Sequence, residues 1–282
     1  MGEAVSHDLF RRGVFIADKP QGPTSHQVSA WARDLAGAER AGHGGTLDPR
    51  VTGVLPIAFN DATRGLDALL AGDKEYVGVM ELHQDVAEEK LRAMFRRFTG
   101  PIYQMPPVRS AVKRELRVRT IHELDLLERD ARLVLLRTRC ESGTYIRTLA
   151  NDLGEALGVG AHLVDLRRTR AGPFRESEAR PLTDLQDALA FWRQDGDDSH
   201  LRKLMLPMER LFAHLPKVVL KDTAVDAVCH GASLAVPGIV SMEPGIARGA
   251  LVALVTAKGE GVALAHAAMT PSQVDSAQKG VA

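Results

Sequence analysis

The stretch Gly42-His43-Gly44-Gly45-Thr46-Leu47-Asp48-Pro49 decides how this chain is read. It carries neither the 3.6-residue nor the two-residue hydrophobic period, so it reads as a loop. Its three glycines allow positive φ and close backbone approach, and Pro49 stiffens the chain after Asp48. A lone carboxylate held at one point on such a loop suits nucleophilic or proton-transfer chemistry. The competing reading is an ordinary surface turn, because Gly-Gly and Asp-Pro pairs are common turn formers. On this stretch alone the turn is the better reading; the flanking chain changes the balance.

Upstream, Val14-Phe15-Ile16-Ala17 reads as a short buried strand. Thr24 and Gln27 then form a capping box, and Val28, Trp31, Ala32 and Leu35 follow at helical spacing. Downstream, Val51 to Phe59 is apolar and predicts a strand, with Pro56 marking an edge or an interruption. Glu75 to Leu82 and Leu133 to Cys140 predict further strands. Asp85 reads as the cap of a helix whose apolar face is Leu91, Met94, Phe95 and Phe98. Ser142-Gly143-Thr144 turns the chain into another helix, with Thr144 as N-cap and Ile146, Leu149, Ala150, Leu153 and Leu157 as its buried stripe. Asp184 to Leu211 reads as helix. Beyond His214-Leu215-Pro216, short β-type runs alternate with Gly and Pro, which predicts a small β domain.

The chain has 282 residues, 45% hydrophobic and 26% charged, as expected of a globular protein with a real core. Lys plus Arg and Asp plus Glu are equal at 36 each, so net charge says nothing about partners. Distribution says more. From Leu91 to Arg119 eight basic residues stand against the single acid Glu115. Arg167, Arg168, Arg170 and Arg175 form a second basic knot. Such segregation fits a polyanion-binding face, or a solvated face with local ion pairs. Cys140 and Cys229 lie far apart and the ten histidines show no ligand spacing, so no zinc site or disulfide framework is expected. No apolar run is long enough to span a membrane and no signal peptide is evident, so the expectation is a soluble, cytoplasmic protein.

Arg147 is the second unusual residue. It falls in the first turn of its helix, where the dipole disfavours a cation, and flanks the buried stripe. Its partner would be Asp152 or Glu141 nearby, or a distant carboxylate, of which Asp48 lacks a local mate. Pairing with Asp48 would keep that acid ionised in a desolvated pocket. Tyr76 is one of three tyrosines; on its strand it either packs in the core or, in a nucleic-acid site, stacks on a base.

These blocks, in order, resemble the TruB/dyskerin family of RNA pseudouridine synthases. They are Asp18-Lys19-Pro20 through Thr24-Ser25-His26, Gly42 to Pro49, Gly53-Val54-Leu55-Pro56, Lys74-Glu75-Tyr76, Pro106-Pro107 through Ser110-Ala111-Val112-Lys113, and Gly143-Thr144-Tyr145-Ile146-Arg147. Leu166 to Phe174 matches the last motif of that family's catalytic domain, and the chain from Leu215-Pro216-Lys217 onward resembles a PUA RNA-binding domain. The resemblance implies an α+β fold: a mixed, largely antiparallel sheet flanked by helices over 1–214, then a small PUA β-barrel over 215–282.

It implies Asp48 as the catalytic aspartate, Tyr76 stacked on the target base and sharing in proton transfer at C5, and Arg147 holding Asp48. Leu166 would line the pocket, His43 would help draw out the flipped uridine, and Lys19 and Lys113 would support the site. Converting uridine to pseudouridine consumes no water and changes no oxidation state, so no cofactor or metal is expected. Asp48 could attack C1′, add to C6 or take a proton from C2′; the sequence does not choose. The compact stretch between Tyr76 and Phe98, and Arg109 where bacterial relatives usually carry tyrosine, favour the archaeal guide-RNA branch. The implied partners are a box H/ACA guide RNA, rRNA, tRNA through its TΨC loop, and small proteins of the Nop, Gar and L7Ae types. The resemblance also implies a longer N-terminal arm than the dozen residues before the first strand, and a final PUA strand near Ala282. Asn60-Asp61 replaces a more usual glycine-containing pair.

Two other functions would leave partly similar marks. An archaeal tRNA transglycosylase also joins an aspartate to a PUA domain, but needs a Cys/His zinc site and repeated βα units that this chain lacks. A non-catalytic RNA-binding scaffold would keep its function in Asp48→Asn.

Overall fold

In the computed structural model, residues 9–106, 113–277 and 279–281 are described. Arg109 and most of the Pro106-to-Lys113 block lie outside them. Ten strands among the described residues make one sheet with the main order β10-β1-β3-β8-β4-β7-β6-β5. The strands are β1 Gly13–Lys19, β2 Ala41–His43, β3 Thr52–Phe59, β4 Lys74–Leu82, β5 Gly100–Gln104, β6 Arg117–Asp130, β7 Leu133–Cys140, β8 Ala161–Ala171, β9 Phe174–Arg175 and β10 Met205–Pro207. Their pairing is antiparallel except for β3 with β8, where Thr52 opposes Arg167 and Gly53 opposes Arg168. The fold is α+β, as expected, but only β1, β3, β4 and β7 of this sheet are predicted by the sequence; β2, β5, β6, β8, β9 and β10 are not. The 14-residue β6 hides in charged sequence, and β10 was expected to be helix.

Strand β4 shows why the sheet has an inside. Lys74, Tyr76, Gly78, Met80 and Leu82 are buried, and the alternate residues are half-exposed. This is the period-two pattern of a sheet covered on one face. The cover is helix α1 (Ser25–Ala36), α3 (Glu88–Phe98) and α4 (Ile146–Leu157), with α2 (Leu66–Ala71) following the first crossover. Leu91, Met94, Phe95, Ile146, Leu149 and Leu153 join Tyr76, Met80 and Leu82 in one apolar cluster. Each fully buried side chain of this size contributes about 1.5–3 kcal/mol.

The capping box on α1 forms as expected: the Thr24 side chain accepts from Gln27 N, and the Gln27 side chain accepts from Thr24 N. Two other expected caps do not form. Ala87, not Asp85, is the N-cap of α3, and Tyr145, not Thr144, is the N-cap of α4. The Thr144 hydroxyl donates instead to Glu141 O at 2.6 Å. The predicted helix over 184–211 is two helices, α5 (Leu182–Asp195) and α6 (Ser199–Leu204), followed by β10. Met205 then pairs with Phe15 and closes one edge of the sheet. Asn60 adopts φ +44°, a conformation asparagine tolerates.

Pro56 does not lie on an edge strand. β3 is flanked by β1 along most of its length, and on its other side by β8 at one end and β2 at the other. Pro56 sits in the gap between β8 and β2, where its carbonyl accepts from Gly44 N at 2.9 Å while its nitrogen has no hydrogen to return.

The second unit is a four-stranded sheet ordered β12-β11-β13-β14, from β11 Lys217–Leu220, β12 Ile239–Met242, β13 Leu251–Val255 and β14 Gly261–His266. Near the chain's end Val281 bridges to Ala235. Ala253 and Val255 of β13 pack with Phe174, Leu211, Phe212 and Leu215, so the small sheet shares a core with the large one.

Candidate active site

The glycine loop crosses the gap beside Pro56, and nearly every bond that holds it reaches a backbone atom. Ser25, fully buried at the start of α1, accepts from Leu47 N at 2.8 Å and donates to Leu47 O at 3.1 Å. Lys19, at the end of β1, donates through Nζ to Pro20 O (2.8 Å), Pro49 O (3.2 Å) and Val51 O (2.8 Å). Gly22 N donates to Pro49 O, and Val51 N closes a turn on Asp48 O. Gly45 has φ +115°, as the loop requires. Gly53 has φ +102°, and a Cβ there would overlap the Arg168 carbonyl where β3 meets β8. The result is a carboxylate on a short, heavily tethered turn.

Arg147 meets that carboxylate. Its guanidinium lies 2.6 Å from Asp48 Oδ2. Of the alternatives for Arg147, Glu141 is engaged by Arg119 at 3.0 Å, and Asp48 is the acid taken. The pocket differs from expectation in one respect. The Arg147 and Asp48 side chains are 58% and 45% exposed, so the pair sits at an open mouth and not in a desolvated interior. An ion pair so exposed is worth at most about 1 kcal/mol, and its contribution is orientation of the carboxylate rather than stability. Arg147 is itself placed by Gln104, a buried residue of β5. Gln104 Nε2 donates to Tyr145 O at 3.1 Å and its Oε1 accepts from Tyr145 N at 3.0 Å, fixing the N-cap of α4 two residues before Arg147.

Tyr76 lies beneath, 9% exposed, in the same cluster as Leu47 and Leu166, and within electrostatic reach of Asp48. Burial pushes its phenol above the ordinary range, against the pull of Arg168. Leu166 on β8 opposes Gly78, and a Cβ at Gly78 would press on Leu166 Cδ1 at 2.9 Å. His43 ends β2. Its Nε2 is 3.5 Å from His26 Nδ1, the rings are edge-to-face, and burial holds its pKa down at about 4. It is therefore neutral near pH 7.

Lys113 is not brought to this group: it is 79% exposed and paired with Glu115. The second basic knot is also different from the expected polyanion face. Arg167 grips Asp18 with two bonds of 2.9 and 3.0 Å and also pairs with Glu176. Arg168 is turned inward and is the largest fully buried side chain, its Nε donating to Val54 O at 2.8 Å and a terminal nitrogen to Gly45 O at 3.2 Å. Lys74 is buried too, donating to Leu69 O at 2.6 Å, and burial lowers its pKa to about 8. Three buried cations, Lys19, Lys74 and Arg168, thus underlie the site. Of the three, the sequence assigns only Lys19 to the site. The sequence reads Arg168 as one of a basic knot; its inward place follows only from β8, where it stands two residues after Leu166.

Comparison with known proteins places this geometry. Residues 33–146 match the N-terminal domain of the TruB family pseudouridylate synthases, 147–213 a tRNA pseudouridylate synthase B C-terminal domain, and 216–282 a PUA domain. The chain is 52% identical over 280 residues to a probable tRNA pseudouridine synthase B of Methanocaldococcus jannaschii, covering 99% of this chain and 83% of that one. It is 54% identical over 279 residues to the Methanopyrus kandleri protein of the same name, covering 99% and 82%. Among solved structures, the chain in a Cbf5-Nop10-Gar1 complex superposes with a TM-score of 0.94 at 51% identity, covering 98% of this chain and 84% of that one. A chain from an H/ACA RNP bound to a substrate RNA containing 2′-deoxyuridine gives 0.89 at 49% identity, covering 98% and 84%. With family matches along nearly its whole length and an overall fold shared with those relatives, the chain belongs to the TruB family of pseudouridine synthases.

Proposed function

We propose that this chain isomerises uridines in structured RNA with Asp48 as the catalytic carboxylate, and that it works as the catalytic subunit of a box H/ACA guide-RNA particle. The carrying observation is the 2.6 Å contact between Arg147 and Asp48, which joins two remote segments at an exposed site, with Tyr76 within electrostatic reach of Asp48 and clustered with Leu166. A target base must leave its stack to reach that site, at a cost of a few kcal/mol. Tyr76 and Leu166 offer the extruded uracil a flat and an apolar wall. Neutral His43, beside the loop, assists the extrusion. Lys19 acts from below by holding the Asp48 turn, and Lys113 contributes only as an exposed basic residue on the approach.

The guide-RNA reading draws on the likeness to the chain of the Cbf5-Nop10-Gar1 complex and to that of the substrate-bound H/ACA RNP. The substrates it implies are rRNA uridines selected by guide RNA and the TΨC-loop uridine of tRNA, and the partners are small proteins of the Nop, Gar and L7Ae types. Its place of action would be the cytoplasm.

The test is pseudouridine formation on rRNA and tRNA fragments, with and without guide RNA and partner proteins, comparing wild type with Asp48→Asn. The expected result is loss of turnover at unchanged RNA affinity. Full turnover by Asp48→Asn would remove the carboxylate from the chemistry. Conversion of tRNA alone, unaffected by guide and partners, would place the chain among the stand-alone enzymes.

A further inference from the structure

Tyr76 and Arg168 are direct cross-strand partners between β4 and β8, and both face the covered side of the sheet. Arg168 donates there to the carbonyls of Val54 and Gly45, and as the cross-strand partner of Tyr76 it lies within electrostatic reach of the phenol. A guanidinium has donors only, so toward this cation the Tyr76 oxygen can act only as acceptor. The phenol proton then lies on the other side of that oxygen. A chain packing for stability alone would do as well or better with an apolar residue than with this buried charge.

We propose that Arg168 is the positioning residue of proton transfer: it fixes the direction of the Tyr76 O–H and shelters the phenolate left when that proton is given up. The inference rests on the reading of Asp48 and Tyr76 given above and deepens it. Uridine and pseudouridine contain the same atoms. The N1–C1′ bond breaks and its electron pair leaves with the base. C5 supplies the pair for the new bond to C1′, and the C5–H pair restores the ring double bond as that proton departs. The net movement is one proton from C5 to N1, with no oxidant or reductant. Tyr76 can donate to the departing base, take the C5 proton as phenolate, and end as it began. The guanidinium makes the intermediate phenolate tolerable in a buried site, where desolvation otherwise works against it. By bonding Gly45 O at the same time, Arg168 ties this ring to the loop that carries Asp48.

The chain has three tyrosines, so the full-length protein labelled with 3-fluorotyrosine gives three assignable fluorine resonances. The Tyr76 resonance should titrate at higher pH in Arg168→Met than in wild type, with Arg168→Lys between them. Unchanged resonances for Tyr103 and Tyr145 report an intact fold. If the Met variant does not fold, the Lys variant against wild type carries the same comparison. In single-turnover assays on an RNA that wild type converts, Arg168→Met should slow conversion about 100-fold, the scale of acid–base assistance, with RNA affinity retained. In a Tyr76→Phe background the same substitution should cost far less, because its effect runs through the hydroxyl. Identical Tyr76 titration in wild type and variant, or an undiminished loss in the Tyr76→Phe background, would overturn the proposal. Activity in Asp48→Asn on the same RNA would instead overturn the underlying reading of the site, so the two failures are distinguishable.

Discussion

Ser25→Ala tests whether the rigidity of the Asp48 turn comes from one hydroxyl. Ser25 is fully buried, Leu47 is 3% exposed, and two bonds of 2.8 and 3.1 Å join them. Removing the hydroxyl forfeits about 1 kcal/mol of net hydrogen bonding, and stranding the buried Leu47 N–H adds about 1–3 kcal/mol. The total is about 2–4 kcal/mol. Charged to the whole fold, it lowers Tm by roughly 5–15 °C in a chain of this size. Charged to the loop alone, it accelerates local opening by roughly 30- to 700-fold, at 1.4 kcal/mol per factor of ten. Lys19, Gly22 and Arg168 hold the turn at other points, so the local outcome is expected, with little change in Tm. Hydrogen exchange across residues 44–51 should then rise steeply. Turnover should fall by up to about 100-fold, as expected of a carboxylate displaced by about 1 Å. Wild-type exchange together with wild-type turnover in Ser25→Ala would refute the reasoning, because the hydroxyl would then be holding nothing.

Two other outcomes are expected. Gln104→Met keeps the side-chain volume but removes both bonds to the Tyr145 backbone; stability should fall by about 2–3 kcal/mol in urea titration, and turnover should fall more than RNA affinity as Arg147 loses its fixed approach to Asp48. His43 has its pKa lowered from 6.5 to about 4, so the unfolded chain binds its proton first as pH falls. Its contribution to stability is complete above pH 6.5 and is lost as pH drops from there towards about 4; the urea midpoint of wild type should fall more than that of His43→Gln over this range.

What was legible in the sequence followed from local rules. The strand at Val14, the Thr24/Gln27 box, the strand ending at Cys140 and the stripe on α4 are written in short-range periodicity and capping chemistry. Asp48 stood out by its glycine loop and its want of a local mate, and Arg147 by its place in a first helical turn beside the buried stripe, although Asp152 and Glu141 nearby left its partner open. What was not legible depended on sheet order. Arg168 reads as one more cation in a basic run until β4 is laid beside β8, and Lys74 until α2 offers its last carbonyls. The openness of the Arg147–Asp48 pair was misjudged for the same reason: exposure is set by what does not cover a site, and sequence period does not report that. β10 was mistaken for helix because three residues carry no period at all.

A single imino nitrogen at Pro56 has a consequence for where chemistry can occur in this fold. By ending one ladder in the middle of the sheet, it opens a window between strands that are themselves continuously anchored. The Asp48 carboxylate therefore rests on a turn tethered from β1 and α1 and stands beside a breach in the sheet, where loops elsewhere more often hang from its rim.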